Sequence, residues 1–124
     1  MLTGKSVLIV EDSAYLALDL SAAVEHLNGR VLGPVGTAID ALSLLHSEQI
    51  DAVVLGYELP DSDASLVARA LIGKGVPFVI HTGTRVPPEV LVLRPKTPVL
   101  MKPIEPRDVV TLLSHEVIKA QLAG

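Results

Sequence analysis

The chain has 124 residues, enough for one domain, residues 1–124, built around one core. Hydrophobic residues make up 49%, yet only Tyr15, Tyr57 and Phe78 are aromatic, so the core must be aliphatic. A net charge of −4 leaves no basic footprint for nucleic acid, and the lack of cysteine excludes disulfides and thiolate metal sites.

Several features point to a cytoplasmic protein that does not engage a membrane. No apolar run nears the ~18 residues needed to span a bilayer. The opening run MLTGKSVLIVEDS reaches acidic residues after a short apolar stretch, which makes a poor signal peptide.

Ser6–Val10 reads as a strand covered on both faces. Glu11-Asp12-Ser13 supplies helix-capping types, and Leu16, Leu20, Ala23, Val24 and Leu27 then share a helix face that Asn28-Gly29 ends. Arg30–Val35 is a second strand, which Pro34 assigns to an edge or a strand end. Thr37 caps a helix over Ala38–Ser47. Ala52–Leu55 is the third strand. Ser62 or Asp63 caps a helix through Ile72, with Gly73 to Gly75 ending it.

Pro77–His81 is the fourth strand. Thr82–Pro98, with Pro87, Pro88, Pro95 and Pro98, predicts a loop holding at most a short helical turn. Val99–Met101 is a short fifth strand. Pro106 opens a final helix with Val109, Leu112, Leu113, Val117 and Ala120 on one face.

This alternation predicts an α/β fold with five parallel strands and helices on both faces, doubly wound in the flavodoxin-like order 2-1-3-4-5. Such folds place their sites beyond the carboxyl ends of the strands. Glu11-Asp12, Gly56, Thr82-Gly83 and Met101-Lys102-Pro103 should converge there. Two carboxylates suit Mg²⁺, and a lysine with a hydroxyl suits an anionic oxygen group such as a phosphoryl.

The order and spacing of IVED at Ile9–Asp12, the strand-plus-LPD run at Asp51–Asp61, HTG at His81–Gly83 and MKP at Met101–Pro103 resemble the CheY-like receiver domain of two-component response regulators. The likeness covers essentially the whole chain. PFVIHTGT at Pro77–Thr84, followed by a proline-rich stretch and PVLMKP, is similar to a receiver subgroup with a PFxFxTGY-type motif and an irregular fourth helix.

The resemblance implies a Mg²⁺ site at Glu11, Asp12 and the backbone carbonyl of Glu58. It makes Thr82 the hydroxyl, and Lys102 the cation, that meet a phosphoryl group. The phosphoacceptor aspartate maps onto Gly56, which has no nucleophile, so Mg²⁺ affinity should fall and covalent phosphotransfer should be lost. Val99 stands three residues before the lysine, where many receivers carry an aromatic switch residue. Natural loss of the acceptor and an engineered change both fit the sequence.

Each site residue also has a plainer role. Glu11 and Asp12 suit a helix N-terminus, and Thr82 suits a turn before Gly83. Lys102 suits the surface before a turn, although facing two acids it could pair directly with Asp12 or Glu11. Asp61 and Asp63 are candidate substitute acceptors, but shaping the loop and capping the next helix is the preferred reading. The Tyr57 ring covers the gap at Gly56 or faces solvent. Alternation puts His81 away from the crevice if Thr82 faces it, and His26, His46 and His115 lie on separate helices as surface residues.

The expected function is a stand-alone receiver-like module in a phosphorelay, a non-enzymatic pseudo-receiver with no output domain. It would act by contact with a histidine kinase, a phosphotransfer protein or another signalling protein, and a homodimer is compatible. Its contact surface, by resemblance, is the fourth helix region, the fifth strand and the last helix. An alternative from another class is nucleotide or small-ligand binding, against which stands the absence of a GxGxxG or P-loop and of a nucleophile–base constellation. A third is non-covalent use of phosphate or Mg²⁺ by Glu11, Asp12, Thr82 and Lys102.

Overall fold

In the computed structural model, residues 2–84 and 88–123 are described. Pro87, counted above in the proline-rich stretch, lies outside them, as do the chain ends Met1 and Gly124. The elements run β1 (Ser6–Val10), α1 (Ala14–His26), β2 (Arg30–Val35), α2 (Ala38–Ser47), β3 (Ala52–Gly56), α3 (Ser65–Lys74), β4 (Phe78–Thr82), α4 (Pro88–Leu93), β5 (Val99–Met101) and α5 (Pro106–Ala123). The five strands form one parallel sheet in the order β2-β1-β3-β4-β5, as expected.

The inner strands are apolar runs because helices cover both sides of them. One side of the sheet carries Leu8, Val10, Val53, Leu55, Phe78 and Ile80 against α2, α3 and α4. The other carries Val7, Ile9, Val54 and Val79 against α1 and α5. Full burial of each such side chain contributes roughly 1.5–3 kcal/mol, and two of the three aromatics, Tyr57 and Phe78, join the aliphatic side chains of the first layer.

The edge strand β2 shows why Pro34 is tolerated. Its register on β1 slips between the Leu8↔Leu32 and Val10↔Val35 pairs. Gly33, at φ +81°, and Pro34, which lacks an N–H, fall within that bulge.

Several boundaries differ from expectation, among them β3, which runs to Gly56, and β4, which spans Phe78–Thr82 in place of Pro77–His81. α3 begins later, with Ala64 at the cap position and no side-chain cap; Asp63 instead accepts from the Ser65 N–H at 3.0 Å. α3 also runs through Gly73 and ends only at Gly75, which adopts the left-handed conformation at φ 68°. α4 is a six-residue helix opened by Pro88, somewhat more than the single turn expected.

Candidate functional site

Side-chain parity builds the crevice. Ile9, Val54, Val79 and Leu100 face the α1/α5 layer, so Glu11, Gly56, His81 and Lys102, two residues further along each strand, point to that same side. Pairing confirms the alignment across the sheet, with Gly56 opposite His81 and His81 opposite Leu100.

These residues meet. Lys102 Nζ lies 3.2 Å from Glu11 Oε1, and the Glu11 side chain is 1% exposed while that of Lys102 is 27% exposed. The other Glu11 oxygen accepts from the Ser13 N–H at 3.0 Å, which ties the carboxylate to the start of α1. The expected direct ion pair therefore runs through Glu11, and Asp12 is exposed on the loop beyond it.

His81 corrects the reading that placed it away from the crevice. It is 1% exposed, and its Nδ1 lies 3.8 Å from Glu11 Oε1. Neighbouring residues of β4 do face opposite sides, but the crevice straddles the end of the sheet. Thr82 enters it from one face and His81 from the other. Burial and the Lys102 charge push the His81 pKa down to about 4, against the opposing pull of Glu58.

Gly56 stands where two backbones approach closely. A Cβ there would lie 2.8 Å from the Val10 carbonyl oxygen and 3.4 Å from Glu11 Oε1. A side chain at this position would require β1 or β3 to shift.

On the other side of the crevice, Thr82 is fully buried and its hydroxyl donates to Glu58 Oε2. The Gly83 N–H donates to Glu58 Oε1 at 2.9 Å. Partial burial pushes the Glu58 carboxyl up. The Gly83 N–H, the Thr82 hydroxyl, the Lys102 charge and the Thr84 side chain outweigh that and hold it below the ordinary value. The sequence reading used only the carbonyl of Glu58 and missed its carboxylate.

Tyr57 takes neither place foreseen for it. Its ring is buried in the α2/α3/α4 layer and its hydroxyl donates to Glu89 of α4. Asp61 caps α2, and not the next helix, by accepting from the Ala38 and Ile39 N–H groups at 2.9 and 3.1 Å. The Ala38 bond lowers its pKa most, burial opposes, and the Ile39 bond adds to the lowering. His26, His46 and His115 are exposed on separate helices, as expected.

The donor set fits Mg²⁺ poorly. Among the described residues no group of three or more His, Cys, Asp or Glu side chains is placed to hold a metal ion. The buried Glu11 oxygen already faces the Lys102 ammonium, and Gly56 offers no carboxylate.

No protein-family model and no curated protein matches this sequence. Solved structures do match. The response regulator receiver domain protein (CheY-like) from Methanospirillum hungatei JF-1 superposes with a TM-score of 0.84 at 23% identity, covering 100% of both chains. A response regulator receiver protein from Sinorhizobium medicae WSM419 gives 0.81 at 25% identity, over 94% of this chain and 96% of that one. SdrG from Sphingomonas melonis Fr1 gives 0.76 at 32% identity, over 94% and 97%. The chain has the flavodoxin-like fold of CheY-like response regulator receiver domains. That fold supports a response-regulator-like module, and among the described residues no helix is long and apolar enough to cross a membrane.

Proposed function

We propose that the chain is a pseudo-receiver of the PFxFxTGY-type subgroup. It works in two-component signalling by protein–protein contact, without carrying a phosphoryl group itself and without enzymatic activity. Its partners are a histidine kinase, a phosphotransfer protein or another signalling protein, with a second copy of the chain as a further partner.

The observation that carries this reading is the Glu11–Lys102 pair beside Gly56. Gly56, onto which the resemblance maps the acceptor, holds no nucleophile, the Lys102 ammonium is paired with a buried carboxylate, and a Cβ on Gly56 would crowd the Val10 carbonyl of β1. The contact reading draws on the α4–β5–α5 face, where Val92, Leu93, Met101, Ile118 and Leu122 are exposed. A groove of about 530 Å³ lies beside them, lined by Leu93, Arg94, Lys96, Glu116, Lys119 and Ala120 among others.

The test is phosphotransfer profiling with radiolabelled ATP against a panel of purified histidine kinases and phosphotransfer proteins, with complex formation measured in parallel. The reading predicts a complex with at least one panel member and no label on this chain. Label on the chain, or no complex with any of them, would count against it.

A further inference from the structure

We infer that the Glu58 carboxylate is a built-in occupant of an oxyanion-receiving cluster made by the Thr82 hydroxyl and the Gly83 N–H under the Lys102 charge, and that it keeps external oxyanions out. The consequence for signalling rests on the pseudo-receiver reading, since it would hold the loop after β3 in one state without covalent modification.

Both oxygens of one carboxylate are engaged. The Gly83 N–H donates to Oε1 at 2.9 Å, and the Thr82 hydroxyl donates to Oε2. The Lys102 ammonium pairs with Glu11 Oε1 at 3.2 Å, and its charge also draws the Glu58 carboxyl toward its ionised form. A hydroxyl and a backbone N–H aimed at one carboxylate, with the Lys102 charge acting on it, form a receptor for any small oxyanion, carboxylate or phosphate alike.

The two ends of this clasp differ. Thr82 is fully buried at the end of β4, while Glu58 is exposed on the loop between β3 and α3. The receptor is thus fixed in the sheet and the occupant is tethered to a loop. A tethered carboxylate acts at an effective concentration of roughly millimolar or above, so free phosphate below that level competes poorly.

The test follows the Gly83 amide by NMR in the parent, Glu58→Ala and Glu58→Gln. Hydrogen exchange is measured first, and inorganic phosphate is then titrated. In the parent, the Gly83 amide should exchange slowly and stay in place as phosphate is added. In Glu58→Ala its exchange should rise about tenfold or more, as loss of a charge-assisted hydrogen bond implies. Its resonance should then move saturably with phosphate, and Thr82→Val in that background should abolish the movement.

Glu58→Gln keeps the shape without the charge and should respond to phosphate in the same direction, so it carries the test if Glu58→Ala does not fold. Equal exchange in parent and variants, or a phosphate response that is shared by all or seen in none, would overturn the inference. No kinase or phosphodonor is used, so this outcome is separate from whether label reaches the chain in phosphotransfer profiling.

Discussion

Lys102 Nζ lies 3.2 Å from Glu11 Oε1, and the same oxygen lies 3.4 Å from where a Cβ on Gly56 would stand. Glu11 therefore supplies the counter-charge of Lys102 in a crevice where Gly56 brings no carboxylate. The pair is asymmetric in burial, and its two ends should respond differently to mutation.

Lys102→Met leaves the Glu11 carboxylate buried with its cation removed, and about 3 kcal/mol of stability should be lost. Glu11→Gln leaves an ammonium that is already 27% exposed and can turn to water. That variant should lose about 1 kcal/mol, since most of the penalty is relieved by solvent. Urea denaturation of both variants measures the difference; equal losses would contradict the assigned burial.

Glycines at two positions should behave in opposite ways. Gly56→Ala places a Cβ 2.8 Å from the Val10 carbonyl and should cost about 1–3 kcal/mol through overpacking. Gly73→Ala meets nothing within 4 Å in α3 and should stabilise by about 0.5–1 kcal/mol. Thermal denaturation should show the first midpoint falling and the second rising.

His81 should give the protein a stability limb at mildly acidic pH. Its folded pKa of about 4 lies below its ordinary 6.5, so the unfolded chain binds the extra proton first. Stability should be full above about pH 6.5 and fall as pH drops toward 4, by at most about 3 kcal/mol. Denaturant midpoints measured across that window in the parent and in His81→Gln should show the slope flattening in the variant.

Asp61 should act at lower pH. Its depressed pKa contributes stability that is present above the ordinary carboxylate value of 3.8 and lost as pH falls through the folded pKa. Asp61→Asn should lower the melting temperature at pH 7, because the α2 N–H groups of Ala38 and Ile39 lose their charged acceptor. It should also reduce the pH dependence below about pH 4. Faster exchange of those two amides is the local readout.

The fold was legible where burial writes itself into composition. Val7–Val10, Ala52–Leu55 and Phe78–Ile80 are apolar without alternation because layers cover both sides, and that pattern can be read from one sequence. Glu11 was legible because it directly follows such a run, and Lys102 because it follows the short apolar stretch Val99–Met101.

Glu58 and His81 were not legible in the same way. The role of His81 depends on the Gly56↔His81 register and on the missing side chain opposite, and the role of Glu58 depends on how the loop folds back toward β4. The capping of α2 by Asp61 joins residues 23 positions apart, beyond any local capping pattern.

A pseudo-receiver of this kind should take up no phosphoryl group of its own. Intact-mass spectrometry after incubation with acetyl phosphate and Mg²⁺, with a phosphorylatable receiver in the same tube as a reagent control, tests it most directly. The control should gain a phosphoryl mass while this chain stays at its starting mass. A phosphoryl adduct on this chain would contradict the account, and peptide mapping would then show which carboxylate had taken the place of the acceptor.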